Sequence, residues 1–402
     1  MKKFISYGKN VYNKEEIFAV NNTLKKTTQM GVSVATFENK IAKIFSKKYG
    51  VMVNSGSSAL ILALKCLNLK KGSEVITPCL NFGTAVSSII LNDLVPVFVD
   101  VNVRTLQINP DLIKKKITKK TKAILVPNLI GNIADWKKLK NIASKEKLHL
   151  IEDSADTLGA KINNVSTGTY SDISITSFYG SHVISCAGNG GMLLTNDKKI
   201  YVKSKVLRSW GRLSSLIKDS ENINKRLGIK LKGVEYDRKF VFSEIGYNFE
   251  PSEISASFGL VQLKKFKSFS SIRNKNFKFH FNFFNRLKDY FLTPIINKGV
   301  YTNFLAYPII IVPNKLFNRK ELQIFLEKNK IQTRPIFSGN ILRHPAFSNL
   351  ISRKNKLNEF ENADYIMKNG ILIGCHQGLS IKDLKLIHNK IKNFIKNKRA
   401  RN

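Results

Sequence analysis

Three short segments place polar side chains at points where buried, β-branched stretches of the chain end. They are Asn54–Ser58, Glu152 with Asp153, and Ser177–His182. Ligands of an open parallel sheet bind at the carboxyl ends of its strands, so chemistry is expected at these segments. Between them they offer hydroxyl and amide donors for an anion, two carboxylates, and an imidazole that can act as a base near neutral pH.

The first segment contains Ser55-Gly56-Ser57-Ser58 and precedes a helical stretch, Ala59–Leu67. Amide groups at the positive end of a helix, together with serine hydroxyls, form a phosphate cup. A serine or glycine before a helix is equally an ordinary N-cap, so this pattern alone leaves both interpretations open.

The second segment ends the buried strand Leu148–Ile151 with two carboxylates, Glu152 and Asp153. A buried carboxylate requires either a cationic partner or a proton. The alternative is that Asp153 caps the helix that follows it.

The spacing of apolar residues predicts the elements that must position these groups. One helix carries Phe37, Ile41, Ile44 and Phe45 on a single face. Short β-branched runs then recur at helix-sized intervals: Glu74–Thr77, Val95–Val99, Ala123–Val126, Leu148–Ile151, Ile173–Phe178 and Met192–Thr195. Strands that alternate with helices indicate a mostly parallel sheet covered on both faces, which is an α/β fold.

The pattern changes from about Val261 onward. A Lys/Phe-rich helix is followed by a strand region at Pro308–Pro313 and by helical segments around Lys320–Lys328 and Lys382–Lys396. We therefore predict two domains, a large one over residues 1–265 and a smaller α+β domain over residues 266–402.

The composition is typical of a globular protein. The chain has 402 residues, of which 43% are hydrophobic, and its 67 Lys and Arg against 28 Asp and Glu give a net charge of +39. Lysines are scattered through every segment instead of gathering on one face or arm, which argues against a nucleic-acid-binding protein. The dense patch from Lys390 to Arg401 is interpreted as the solvated face of a C-terminal helix. The charge would still attract anionic ligands such as nucleotide phosphates.

Other features bear on location and metal content. No apolar run approaches the ~20 residues that span a bilayer, and Met1–Ser6 lacks the apolar region of a secretory signal. The four cysteines, Cys66, Cys79, Cys186 and Cys375, show neither a CxxC motif nor a Cys/His ligand spacing. We predict a cytoplasmic protein with reduced thiols, no metal site and no membrane segment.

The order and spacing of the three polar segments resemble the DegT/DnrJ/EryC1/StrS family, the sugar aminotransferases among the fold-type-I pyridoxal-phosphate enzymes. Further stretches carry the likeness: Val95–Asp100, Ser209–Arg212, Gly246–Asn248, Glu253–Ala256, Thr333–Arg334, Phe337–Asn340 and Arg343–Phe347. Within the family, the likeness is greatest to the 3-dehydrases that make 3,6-dideoxysugars. It covers nearly the whole chain and implies an aspartate aminotransferase-like fold, a large sheet domain with a smaller α+β domain.

The resemblance implies residues that hold pyridoxal 5'-phosphate or pyridoxamine 5'-phosphate. Gly56, Ser57 and Ser177 would bind the phosphate, and Asn248 would reach it from the second subunit of a homodimer with shared active sites.

The resemblance also implies contacts around the cofactor ring. Asp153 would keep the pyridinium nitrogen protonated, so that the ring acts as an electron sink. Asp156 would contact the ring hydroxyl. Phe82 would stack on the ring, the alternative being a plain core aromatic.

His182 is the decisive difference from the aminotransferases. It is the fifth residue after Ser177, where the family has the lysine that forms an imine with the cofactor. Histidine forms no such imine, so the cofactor would bind noncovalently, preferably as the amine form, and the imidazole would remain as a base. Two alternatives stay open: a lone histidine is ordinarily a structural residue, and a different gap placement moves Val183 into this position.

With a histidine at this position, the resemblance implies a 3-dehydratase acting on a nucleotide-linked 4-keto-6-deoxyhexose, with L-glutamate as amino donor. The iron-sulfur dehydrases of the family carry four cysteines, but here Ala155, Ser214, Leu216 and a residue near Ile223 occupy those places. We therefore expect no iron-sulfur cluster. Arg334 and His344 are candidates for contacts with the substrate or the amino acid, or are structural.

The sequence leaves three rival functions: a nucleotide-sugar aminotransferase, a reductase-coupled 3-dehydrase, and a non-catalytic binding protein that exploits the charge. It also leaves open whether the nucleotide is CDP, GDP or dTDP.

Overall fold

A computed structural model describes residues 4–217, 221–352 and 354–400 of the chain. The helices are α1 Lys14–Leu24, α2 Val32–Ile44, α3 Gly56–Cys66, α4 Gly83–Ile90, α5 Trp136–Lys145, α6 Lys198–Arg208, α7 Ile223–Arg226, α8 Glu253–Phe284, α9 Arg319–Lys328, α10 Glu361–Asn369 and α11 Ile381–Arg399. The strands are β1 Tyr49–Val53, β2 Glu74–Pro78, β3 Val95–Val99, β4 Thr121–Pro127, β5 His149–Asp153, β6 Lys161–Ile162, β7 Val165–Ser166, β8 Ile173–Ser177, β9 Gly191–Thr195, β10 Ile229–Leu231, β11 Val234–Tyr236, β12 Phe291–Leu292, β13 Val300–Tyr301, β14 Ala306–Ile311, β15 Thr333–Pro335 and β16 Gly370–Gly374.

The largest sheet of the described residues has seven strands in the order β1-β9-β8-β5-β4-β2-β3. Neighbouring strands from β8 to β3 are parallel, and β9 runs antiparallel to both of its neighbours. Strand β4 lies inside the sheet and is buried on both faces, which explains why its sequence is apolar without alternation. Ala123 and Leu125 join the hydrophobic cluster on one face, and Ile124 and Val126 join the cluster on the other. The prediction of an α/β fold is confirmed.

A smaller antiparallel sheet, β12-β14-β16-β15, lies toward the C-terminus. Its core is built from apolar side chains of the sheet together with residues of α8, α9 and α11, including Phe284, Leu322 and Ile387. The N-terminal segment also joins this core through Ile5, which pairs with Ile331. The predicted boundary between residues 265 and 266 falls within α8, a continuous helix of 32 residues.

Helix α3 begins three residues earlier than the sequence pattern predicted. The Ser55 side chain accepts a hydrogen bond from the Ser58 amide at 3.1 Å, which caps the helix and places Gly56 and Ser57 in its first turn. The serines are therefore both N-cap and helix terminus, so the two interpretations of this segment are compatible.

Helix α11 buries an apolar stripe that includes Leu384, Ile391 and Ile395. Arg401, the end of the predicted basic patch, lies outside the described residues, as do residues 1–3 of the N-terminal segment. Among the helices of the described chain, none combines the length and apolar character needed to cross a membrane.

Candidate active site

A cavity of about 370 Å³ opens at the carboxyl ends of β4, β5 and β8, beside the N-termini of α3 and α4. Its walls include seven residues that the sequence analysis selected: Gly56, Ser57, Phe82, Asp153, Asp156, Ser177 and His182. The parallel sheet brings these residues together from positions more than a hundred apart in the sequence, as expected for strand ends at one edge.

The phosphate cup lies where α3 starts against the end of β8. A Cβ on Gly56 would lie 2.8 Å from the Cβ of Ser177, so only glycine permits this approach. The Ser57 hydroxyl donates to Thr84 Oγ1 at 3.1 Å, which ties the starts of α3 and α4 together. First-turn amides have no acceptor within their own helix and lie at its positive end, so this geometry fits a phosphate dianion.

Asp153 and Asp156 are two buried carboxyls on the cavity wall. Asp153 accepts a hydrogen bond from the Ala155 amide at 3.0 Å, and Asp156 accepts one from the Ile130 amide at 2.8 Å. In the described part of the chain, neither forms an ion pair with Lys or Arg.

Burial raises the pKa of Asp153 to about 6, and the neighbouring charge of Glu152 adds to the effect. Burial likewise raises the pKa of Asp156 to about 7, with a further contribution from Asp153. Burial destabilises the charged form of both carboxyls, so a ligand that brings positive charge, such as a protonated pyridine ring, suits this site.

Glu152 has a different environment from Asp153, although the two are adjacent. Its carboxylate accepts hydrogen bonds from Asn128 Nδ2 at 3.0 Å, Ser154 Oγ at 2.8 Å and Ser174 Oγ at 2.7 Å. Neutral donors therefore satisfy this carboxylate inside the protein, and it does not line the cavity.

His182 lies on the cavity wall with its ring partly enclosed. Its Nδ1 is 3.3 Å from the Ser177 carbonyl oxygen. Because a carbonyl oxygen only accepts, Nδ1 carries the proton and Nε2 keeps its lone pair. Burial, with a smaller contribution from the Arg273 charge, lowers the pKa of His182 to about 4, so the imidazole is neutral at physiological pH. Val183, by contrast, is buried in the packed interior.

Phe82 forms part of the cavity wall and is not a core residue, since 55% of its surface is exposed. Its ring meets Phe337 edge to face, with 5.9 Å between the centroids. An exposed aromatic face at the edge of such a cavity is available for stacking on a flat ligand.

Three predicted residues do not line this cavity. Asn248 is exposed in the single chain and pairs with Ser209. Arg334 is also exposed, and its guanidinium lies 6.0 Å from the ring of Tyr7, which does line the cavity. The His344 ring donates from Nε2 to the Ser338 carbonyl at 2.8 Å, a contact that stabilises its own loop.

Several wall residues were missed by the sequence analysis, notably Tyr7, Leu305 and Phe337. Tyr7 belongs to the N-terminal segment, and its amide donates to Gln332 Oε1 at 2.9 Å, which holds it beside the smaller sheet. Burial raises the pKa of Tyr7, so its hydroxyl keeps its proton. No local pattern marks these residues, because long-range packing alone brings them to the site.

The four cysteines lie in four different hydrophobic clusters. All four are buried free thiols, and burial raises the pKa of each of them. Their surroundings are those of structural, unreactive cysteines.

Comparison with known proteins gives a family match over residues 10–392, to the DegT/DnrJ/EryC1/StrS aminotransferase family. The lipopolysaccharide biosynthesis protein RfbH of Salmonella typhimurium is 33% identical, over 96% of this chain and 90% of its own. A GDP-4-keto-6-deoxy-D-mannose 3-dehydratase of Escherichia coli O55:H7 is 32% identical, over 90% of this chain and 92% of its own.

A GDP-perosamine synthase of Escherichia coli O157:H7 is also 32% identical, over 84% of this chain and 85% of its own. Among solved structures, a GDP-4-keto-6-deoxymannose-3-dehydratase with a trapped PLP-glutamate geminal diamine superposes with a TM-score of 0.84. It is 29% identical, and the match covers 96% of this chain and 99% of that one.

Proposed function

This chain belongs to the DegT/DnrJ/EryC1/StrS aminotransferase family of pyridoxal-phosphate enzymes, and from that premise we propose that it is a 3-dehydratase of a nucleotide-linked 4-keto-6-deoxyhexose. We further propose that it works in the cytoplasm, in the synthesis of a dideoxysugar for a surface polysaccharide. The observation that carries the proposal is His182, an imidazole with a free Nε2 on the cavity wall.

Pyridoxamine phosphate, when bound, supplies an amine that condenses with the C4 ketone of the sugar and a ring that accepts electrons. The start of α3 and Ser177 would hold its phosphate, and Asp153 would hold the proton on its ring nitrogen. Nε2 of His182 would take a proton from the C4′ carbon and deliver one to the departing C3 hydroxyl, which leaves as water. A neutral imidazole with a low pKa is in the correct form for the first transfer.

L-Glutamate is the proposed source of the two electrons that the net reaction requires. It would convert pyridoxal phosphate to pyridoxamine phosphate and leave as 2-oxoglutarate. After loss of the hydroxyl, hydrolysis would release ammonia and the 3-deoxy ketosugar. The glutamate adduct trapped in the similar dehydratase structure supports this choice of amino donor.

The direct test incubates the purified protein with pyridoxal phosphate, L-glutamate and GDP-, CDP- or dTDP-linked 4-keto-6-deoxyhexoses, with no reductase. We expect one sugar to yield a ketosugar lacking one oxygen, with ammonia and 2-oxoglutarate in equal amounts, measured by mass spectrometry and enzymatic assays. A product that appears only with an added electron-transfer protein would contradict the cluster-free reaction.

Transamination is the second candidate, because a GDP-perosamine synthase has the same 32% identity as the dehydratase of Escherichia coli O55:H7, although over 84% of this chain instead of 90%. The two activities differ in their product and in their resting cofactor. An amino sugar without ammonia release, and a cofactor imine trapped on a lysine by borohydride, would favour the aminotransferase.

We also propose that the protein acts as a homodimer with shared sites. The segment from residue 209 to residue 248 contains many apolar side chains more than a third exposed: Trp210, Leu216, Ile223, Leu227, Leu231, Val234, Tyr236, Phe240, Phe242 and Ile245. An exposed apolar surface of this kind is typical of a protein interface. A second copy packed there would bring Asn248 to its partner's phosphate cup.

Complementation of two impaired variants, assayed at a cofactor concentration that leaves Asn248→Asp mostly unloaded, tests the shared site. Asn248→Asp is expected to weaken cofactor binding by roughly 10-fold or more, because the new charge would repel the phosphate. Mixed with His182→Ala, it should recover activity, since one site of each mixed dimer would then contain neither change. The measurement is dehydratase activity of co-expressed, differently tagged chains purified as mixed dimers. Activity no higher than in the single variants would place Asn248 in its own subunit's site and contradict the proposal.

A further inference from the structure

Arg273, on α8, is fully buried although no carboxylate pairs with it in the described residues. All of its N–H groups instead donate to neutral oxygens. Nε donates to Gln377 Oε1 at 2.6 Å, Nη1 to the carbonyls of Phe304 at 2.9 Å and Leu305 at 3.1 Å, and Nη2 to the carbonyls of Ser181 at 3.3 Å and His182 at 3.1 Å. The five donors of the guanidinium are thus all satisfied.

These hydrogen bonds join the loop that carries His182 to two other parts of the molecule. Leu305 lies on the cavity wall just before β14, and Gln377 follows β16. Gln377 also donates from Nε2 to the Val183 carbonyl at 3.3 Å. Arg273 and Gln377 together therefore hold three successive carbonyls, those of residues 181, 182 and 183.

The rest of the loop is held separately, since Val183, Ile184 and Cys186 are buried in the packed interior and the Ser185 hydroxyl donates to Asn10 Oδ1 at 3.0 Å. The contacts of Arg273 therefore act on the part of the loop that carries Ser181 and His182. Between β8 and β9 the loop forms no helix or strand, and Ala187, Gly188 and Gly190 adopt positive φ angles. Its internal backbone hydrogen bonds include those from the His182 amide to the Tyr179 carbonyl and from the Gly180 amide to the Gly188 carbonyl. Neither of them ties the loop to the smaller sheet.

Burying a guanidinium without an anion is costly, and an apolar side chain of similar size is often more stable in such a place. Burial lowers the pKa of Arg273 to about 10, so the group is still a cation at neutral pH. The cost of burying this charge is explained if the rigid, planar set of N–H donors is needed to hold the carbonyls of the loop in place.

We propose that Arg273 is a positioning residue for His182, because its guanidinium fixes the carbonyls on which the placement of the imidazole depends. This inference rests on the proposed function, in which His182 is the base. A displacement of about 1 Å at a catalytic group can reduce a rate by about 10²-fold.

The structural test uses hydrogen–deuterium exchange of the protein without cofactor. Arg273→Met should raise amide exchange at least several-fold in peptides covering residues 180–188. Asn276→Leu is the matched control: Asn276 is buried on the same helix and donates to the Cys375 and His376 carbonyls, but it has no hydrogen bond to residues 181–183. Equal exchange of the loop in both variants would overturn the proposal.

The kinetic test separates turnover from binding. Arg273→Met should lower the kcat of dehydration roughly 10- to 100-fold, with the sugar KM and the cofactor Kd changed less than about threefold. Arg273→Lys keeps the charge but loses the fork of donors, so it should recover only part of kcat. Full recovery by lysine would mean that charge alone matters and would contradict positioning.

Gln377→Leu keeps the proposal testable if Arg273→Met does not fold. It removes the acceptor of Nε and the donor to Val183, and should produce a smaller change of the same kind in exchange and kcat. If the wild-type protein dehydrates no sugar, the proposed function fails, and if His182→Ala keeps full dehydratase activity, only the role of His182 as the base fails. If His182→Ala is inactive while the Arg273 and Gln377 variants keep wild-type kcat, only the positioning proposal fails.

Discussion

Replacing His182 by alanine is expected to lower the rate of dehydration by roughly 10²- to 10⁴-fold, the usual contribution of a general acid–base. The reason is that Nε2 of this imidazole is the proposed proton acceptor for the cofactor's C4′ carbon and the donor to the leaving hydroxyl. Cofactor affinity should change less than about threefold, because the predicted phosphate and ring contacts come from other residues. Single-turnover mass spectrometry with preloaded pyridoxamine phosphate measures the rate, and fluorescence titration measures the affinity.

The loss of dehydration rate in His182→Ala should come from the missing imidazole and not from misfolding. His149→Ala is the matched control, since His149 is exposed at the opposite end of β5 from the cavity. Added imidazole should restore part of the activity of His182→Ala, because the truncated side chain leaves room for a small base beside the cavity. A His182→Ala protein that binds cofactor and dehydrates at the wild-type rate would contradict the proposed role of His182 as the base.

The acid limit of the reaction is a related consequence of burial. An isolated histidine would lose its basic form as the pH falls through about 6.5, whereas His182, with its pKa lowered to about 4, stays neutral well below that value. This residue therefore gives the enzyme a base over the whole physiological range.

Much of the fold could be predicted because local pattern and tertiary role coincide. The β-branched run of β4 predicts a strand, because strands inside a parallel sheet are buried on both faces and are therefore apolar along their length. Strand β1 is indicated only by the polar segment that follows it, because Gly50 interrupts its short apolar run, and β16 is not predicted because glycines bound it on both sides. The start of α8 was placed eight residues late, although the Ser252 cap, which accepts from the Ser255 amide at 3.1 Å, was a usable signal.

The residues of the candidate site also fall into two groups, those that the sequence could predict and those that it could not. Asp153, Ser177 and His182 could be selected because strand ends gather at one edge of a parallel sheet. Tyr7 and Arg273 could not, since they come from the N-terminal segment and from a long helix packed on the smaller sheet. Their places depend on how separate parts of the chain dock, and no spacing in the sequence records this.

Replacing Asp153 by asparagine is expected to lower the rate of dehydration by roughly 10²- to 10³-fold, the scale of losing one preorganised electrostatic partner. The carboxylate is the proposed anion for the ring nitrogen, and without it the ring would lose its proton and accept electrons poorly. Cofactor affinity should fall as well. Stopped-flow turnover and cofactor titration at neutral pH measure the two effects.

The pH dependence of cofactor affinity is a further test of the charge on Asp153. Asp153 has its pKa raised to about 6 in the protein without ligand, so it gains a proton and loses its charge as the pH falls through that value. Wild-type affinity should therefore weaken between pH 7 and 5 more steeply than the affinity of Asp153→Asn. Asp156 and the cofactor phosphate are present in both proteins, but the charge of Asp153 contributes to the raised pKa of Asp156. The difference between the two profiles therefore reports the Asp153 charge together with its effect on Asp156.

Replacing Asp153 by asparagine should raise the stability of the protein without cofactor, although it lowers the activity. Because the folded-state pKa of Asp153 lies above its ordinary value of 3.8, the folded chain binds more protons than the unfolded chain between about pH 4 and 6, and stability is lost as the pH rises through that window. Asp153→Asn should then have a higher Tm than the wild type at pH 7 when both lack cofactor. Glu152→Gln is the matched control, since it removes the adjacent carboxylate that neutral donors already satisfy and should keep most of the cofactor affinity. A lower Tm for Asp153→Asn, or equal losses of affinity in the two variants, would show that the Asp153 carboxylate serves the fold and not the cofactor.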